Sequence, residues 1–197
     1  THVFSAGEDG IVYVTSLERG ENKLLFYDSE SETVYPVCGR PNCRHIPGVA
    51  CAAVKDRVFA PLIYKDRLYY GTYEEGRYHL RVSDVSGENE KDLFALEEGY
   101  QGFGVRSIAA DGSLYSTCEW YEFEETEGGE WKSGTELLRI DLATGEAGTL
   151  LQCEMEAGGQ AWWELEHIYG SSIYFTARCR GTAEGDALED GIYSLDL

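Results

Sequence analysis

Cys38, Cys43, His45 and Cys51 fall within fourteen residues of one another. They belong to the stretch Val37-Cys38-Gly39-Arg40-Pro41-Asn42-Cys43-Arg44-His45-Ile46-Pro47-Gly48-Val49-Ala50-Cys51, held in turns by two prolines and two glycines. Three thiolates and one imidazole can complete a tetrahedral shell around a structural zinc ion. A loop this poor in apolar residues also needs a cross-link to keep one shape. Four residues, then one, then five separate successive ligands, which is not the spacing of a common zinc finger. The same residues admit a disulfide, Cys38 or Cys43 with Cys51, leaving one thiol and His45 as ordinary loop residues, and they admit free thiols. A redox role is disfavoured, because no Cys-x-x-Cys pair and no helix start is present to lower a thiol pKa.

A second group of residues is suited to binding. Trp120, Tyr121, Phe123 and Trp131 lie in a stretch that alternates aromatic with acidic residues around Gly128-Gly129. With Trp162 and Trp163 they can form an aromatic platform for a protein, peptide or glycan, and a rim of Glu suits a basic or neutral ligand. The alternative for the two tryptophans at 162 and 163 is packing inside a sheet. Catalytic patterns are absent from the sequence: there is no Gly-x-Ser-x-Gly, no His-Glu-x-x-His, no phosphate-binding glycine loop and no dinucleotide fingerprint. No catalytic residue is assigned. Carboxylates are so abundant that a glycosidase-like pair can be drawn by chance anywhere.

The elements that must position these residues are strands. Val12-Tyr13, Leu68-Tyr69, Leu114-Tyr115 and Ile173-Tyr174 recur along the chain, and Asp28, Asp84, Asp141 and Asp196 follow at separations of 56, 57 and 55 residues. Each period alternates apolar with polar residues and carries glycine-rich turns, as in Ala143-Thr144-Gly145. This predicts an all-β chain, a β-propeller of four-stranded antiparallel blades with about four blades. The blades are expected at about 1–37, 53–97, 104–153 and 162–197 of a single propeller domain, with the Cys/His loop 38–52 replacing the link between the first two. The segment 119–134 is expected as an extended hairpin. The last blade has three strands where the chain stops, so the chain is expected to be part of a larger propeller, with the open blade edge available for oligomer formation. By strand parity, the cysteines and the aromatic hairpin are expected on one face.

Composition narrows the partners. Thirty-six acidic against sixteen basic residues give a formal charge of -20, which repels phosphate backbones and anionic lipid surfaces. Nucleic acid is therefore disfavoured, and no apolar run approaches the ~20 residues of a membrane span. Six cysteines are too few for a disulfide scaffold and enough for one to three bridges. Among them, Cys118, Cys153 and Cys179 are expected to supply one bridge between blades three and four, or else to be buried as apolar side chains.

From Cys38 to Ala52 the sequence resembles uncharacterised exported β-propeller proteins, often lipoproteins, of Gram-positive gut bacteria, which carry a similar Cys, Pro-Asn-Cys-x-His and Cys-x-Ala segment after a first blade. The resemblance implies an extracellular or surface-anchored protein and a propeller architecture, and no particular activity. Three functions stand open. One is a non-enzymatic surface module that binds a protein, peptide or glycan, with the Cys/His loop as a clip. Another is a carbohydrate-active hydrolase or lyase on a propeller scaffold. The third is a plain scaffold.

Overall fold

The computed structural model describes residues 4–6, 10–17, 21–46, 51–124, 130–155, 159–180 and 189–197. Among the described residues every regular element is a strand, and the chain divides into two compact units, Thr1–Ala95 and Leu96–Leu197.

In the first unit, β1 (Phe4–Ala6), β2 (Gly10–Ser16), β3 (Glu21–Asp28) and β4 (Thr33–Pro36) form an antiparallel meander, and β5 (Val54–Asp56) also pairs with β3. The second blade runs β6 (Phe59–Tyr64), β7 (Arg67–Glu74), β8 (Arg77–Asp84) and β9 (Lys91–Ala95). Buried Val12, Val14 and Leu24 of blade one meet Val37, Val58, Leu68 and Tyr70 in one apolar cluster that joins the two sheets. Alternation produces this cluster: in β2 the residues Gly10, Val12 and Val14 are buried while Ile11, Tyr13 and Thr15 are half-buried.

The second unit contains β10 (Tyr100–Ala110), β11 (Ser113–Glu124), β12 (Glu130–Asp141) and β13 (Ala147–Met155), followed by β14 (Gln160–Tyr169), β15 (Ser172–Arg180) and β16 (Gly191–Asp196). Its core joins Tyr115, Leu137 and Met155 of blade three to Trp163, Leu165, Ile173 and Phe175 of blade four. Trp163 is 5% exposed and packs its ring 5.7 Å from that of Phe175, whereas Trp162, one residue earlier, faces outward at 38%. The packing alternative therefore describes Trp163 and not Trp162.

The recurring Asp ends the third strand of each blade and takes part in the turn or edge that follows. Asp28 Oδ1 accepts the N–H groups of Glu30 and Ser31, and Asp141 Oδ1 accepts those of Ala143 and Thr144. A short carboxylate that reaches back to the next amides fixes a turn without apolar help. Gly145 then takes a φ of 79°, a left-handed conformation that glycine adopts without strain. Asp84 binds Arg67 and Asn89 instead, and Asp196 accepts from Ser172.

Candidate metal centre

The Cys/His loop departs from the sequence expectation in its position. It does not link two complete blades; it interrupts the fourth strand of the first. β4 pairs with the far half of β3, from Asp28 to Leu25, and β5 pairs with the near half, from Lys23 to Glu21. Leu24 lies between them and serves both. Its carbonyl accepts the Val37 N–H at 3.1 Å and its N–H donates to the Ala53 carbonyl at 2.8 Å. The chain thus leaves the sheet at Val37 and rejoins it at Ala53, on the same residue of the neighbouring strand.

Cys38 and Cys51 flank this neck, and Cys43 and His45 reach it from the loop. The four donor atoms lie within 4.8 Å of one another, and His45 Nδ1 is 3.4 Å from Cys51 Sγ. That contact matches the edge of a tetrahedron built on zinc–sulfur and zinc–nitrogen bonds of about 2.3 and 2.0 Å. Asn42 and His45 adopt φ angles of 63° and 50°, a left-handed conformation that both residue types enter more readily than most. None of the six cysteines is joined in a disulfide.

The surroundings favour charge on Cys38 and oppose it on Cys51. Burial opposes ionisation of Cys38, but the N–H groups of Arg40 and Ala52 and the thiols of Cys51 and Cys43 donate to its sulfur and hold its pKa below the ordinary thiol value. Burial pushes the Cys51 thiol up, against the N–H groups of Ala53 and Val54. A metal supplies the positive charge that lets several neighbouring thiols ionise together, and backbone amides aimed at sulfur are the outer support that such ligands need. The donor set and its surroundings therefore fit zinc.

The neck is docked on blade two. Gly39 N–H donates to the Ser86 carbonyl at 2.9 Å, in the turn between β8 and β9. Beside it, Lys55 of β5 forms an ion pair with Glu90, whose carboxylate also accepts the Tyr70 hydroxyl, and the Lys55 ammonium lies 5.5 Å from the centre of the Tyr70 ring. The Lys55 and Glu90 side chains are 19% and 29% exposed, so this pair is shielded rather than fully solvated. Sequence reasoning missed Lys55, Tyr70 and Glu90, since nothing local connects a lysine after the loop to a glutamate 35 residues later.

Glu90 gives the neck a pH dependence. Burial works against its charge, but the hydrogen bonds from Lys55 and Tyr70 prevail and its pKa is lowered. A carboxylate whose folded pKa is depressed stabilises the fold above its unfolded pKa, and that contribution disappears as pH falls through the folded value. Glu90→Gln is expected to lower the unfolding free energy by about 1–2 kcal/mol at pH 7. It should also flatten the stability profile between about pH 5 and pH 3, as measured by chemical denaturation across that range.

The aromatic residues separate into two sets. β11 and β12 pair without interruption from Ser113↔Asp141 to Glu124↔Glu130, so the expected hairpin is a direct continuation of the blade. Trp120 lies against Gly134, where an added Cβ would come within 2.4 Å of the indole ring. Tyr121 and Phe123 fall on the opposite face by strand alternation. Tyr121 meets Gln160, and Phe123 is 46% exposed. Trp131 stands opposite Phe123 in register, and its side chain lies outside the described residues. Trp120 therefore lies on the face opposite Tyr121 and Phe123.

The remaining cysteines are distributed differently from the parity expectation. Cys118 is buried in the middle of β11, where burial pushes its thiol up. Cys153 of β13 and Cys179 of β15 touch through their thiols and remain unbridged. Burial also raises the Glu119 carboxyl. Glu136, whose carboxylate accepts from Tyr100 and Thr149, stands opposite Cys118 in register, so Glu119 and Glu136 belong to opposite faces of the sheet and form no carboxylate pair.

No protein-family model matches the sequence, and no curated protein matches it. Solved structures do. TolB from Acinetobacter baumannii is similar at 16% identity and a TM-score of 0.56, over 96% of this chain and 40% of that one. The fold is a β-propeller. An oligogalacturonate lyase from Vibrio parahaemolyticus matches this propeller at 12% identity and a TM-score of 0.50, over 86% of this chain and 43% of that one. An acylaminoacyl peptidase from Pyrococcus horikoshii matches at 13% identity and a TM-score of 0.50, over 100% and 31%. The chain spans less than half the length of each of these proteins, and at such identities the likeness concerns the fold alone.

Proposed function

We propose that the chain is a non-enzymatic binding module exposed at the cell surface, built on a propeller scaffold and clipped by a structural zinc ion held by Cys38, Cys43, His45 and Cys51. The observation that carries the clip in this reading is the convergence of three sulfurs and one imidazole nitrogen within 4.8 Å at the neck of the loop. Four protein donors fill a tetrahedral shell and leave no position for water or substrate, as in structural rather than catalytic zinc sites. A disulfide would use two of the sulfurs and leave the third, with His45, no reason to converge. The opposed placement of Glu119 and Glu136 argues against a glycosidase-like pair in blade three. The ligand surface in this reading is the hairpin of β11 and β12, with Tyr121 and Phe123 on one face, Trp120 on the other and Trp131 across from Phe123. Its acidic surroundings suit a neutral or basic protein, peptide or glycan.

Elemental analysis and thiol titration on one sample test the clip. About one zinc per chain is expected, with six thiols titrating after denaturation in chelator. Cys43→Ser and His45→Ala should each bring the metal well below stoichiometric. Protein free of metal and with fewer than six titratable thiols overturns the zinc reading.

A further inference from the structure

We infer that metal occupancy decides whether the fourth strand of blade one is whole. With the metal bound, β5 stays on β3 and carries Lys55 to Glu90. Without it, the segment from Cys51 to Asp56 detaches while β4 stays in place. The inference rests on the zinc-clip reading above and assigns that site a defined structural reach.

The asymmetry follows from what holds each half. β4 is tied to β3 by a four-residue turn whose amides are capped by Asp28, and it pairs through Thr33, Val34, Tyr35 and Pro36. It needs nothing from the loop. β5 has three residues, opposite Lys23, Asn22 and Glu21. Each backbone hydrogen bond contributes about 0.5–1.5 kcal/mol net, while ordering each residue costs about 1–2 kcal/mol. So short an edge strand does not persist on its own pairing. What keeps it is the Cys51 thiolate at its start, the fully buried Ala53 and the Lys55 contact at its centre. The Cys51 carbonyl accepts the Val54 N–H at 3.2 Å, so the ligand and the strand belong to one turn. Once the metal leaves, thiols that shared its charge no longer have a common partner, and the cross-link from Cys51 back to Cys38 is gone.

The detachment has a second consequence. Arg40, Cys51, Lys55, Glu88 and Glu90 line a polar cavity of about 460 Å³ beside the neck. One wall belongs to the loop and β5, and the other to the turn of blade two, so the cavity is assembled only in the metal-loaded protein.

Hydrogen–deuterium exchange on the intact chain tests this, comparing zinc-loaded protein, protein stripped with a chelator, and stripped protein resupplied with zinc. Peptides covering 21–24 and 51–56 should exchange about tenfold faster or more without metal. Peptides covering 25–36 and 67–84 should not change, and zinc should restore protection. Cys43→Ser should reproduce the stripped pattern without chelator. If zinc binds and is removed but 21–24 and 51–56 keep their protection, the inference fails and the clip reading stands. Loss of protection throughout residues 4–95 overturns it as well, because the metal then supports the whole unit. Protein that never binds zinc removes both.

Discussion

Leu24→Ala is expected to lower the unfolding free energy by about 3–5 kcal/mol, the range for a fully buried leucine whose site cannot collapse. Leu24 is 0% exposed and packs with Val12, Val14 and Val37 in the cluster that joins blades one and two. Its surroundings are anchored by backbone pairing on both sides, so the void would stay open. The substitution leaves the backbone N–H and carbonyl that close the neck, so the zinc content of the folded protein should be unchanged. Denaturant titration with metal analysis of the native fraction reads both quantities. A loss below about 1 kcal/mol would mean that the two sheets are not joined through this cluster.

The second large effect is expected at Gly87. It has a φ of +77°, and an added Cβ would lie 2.6 Å from the Ala52 Cβ and 2.8 Å from the Val37 carbonyl oxygen. Two penalties combine in Gly87→Ala: a left-handed conformation costs roughly 1 kcal/mol, and an overlap with backbone that cannot swing aside costs about 1–3 kcal/mol. The overlap falls on both lips of the neck, residues 37 and 52, so the metal site should suffer too. Stability is expected to fall by about 2–4 kcal/mol, and the variant should lose zinc to a competing chelator faster than the parent protein. Gly76→Ala is the control. Its φ is +83°, yet nothing lies within 4 Å of the added atom, so it pays the conformational penalty alone.

The blades were legible in the sequence because each is written locally. Alternation in Val12-Tyr13-Val14 or Leu114-Tyr115 sets the buried face, and Asp28 or Asp141 marks the turn with a carboxylate that caps amides two and three residues ahead. The Cys/His group was legible as a set of donors, since chemistry depends on residue type. Its place in the fold was not. Val54-Lys55-Asp56 carries no strand signal, and its pairing is decided by Leu24, thirty residues away from Val54. The sequence suggests a separate projection because Tyr115 and Asp141 are 26 residues apart, where Tyr13 and Asp28, and Tyr69 and Asp84, are 15 apart. The backbone register nonetheless runs straight through from β11 and β12, and period-two geometry sends Trp120 and Tyr121 to opposite sides.

A strand broken and resumed on one residue of its neighbour separates the length of the detour from the register of the sheet. Closing a flexible loop ordinarily carries an entropy that grows slowly with length, about 0.6 kcal/mol for each doubling. In the zinc-clip reading proposed above, the closing constraint would be a metal bridge between residues 38 and 51, whose donor atoms converge beside the point of departure and return. Chain added between His45 and Cys51 would lengthen a loop already closed at its base, and neither Pro36 nor Val54 would change partner. The neck is thus an insertion point, where a propeller can gain a new surface element without re-registering a blade.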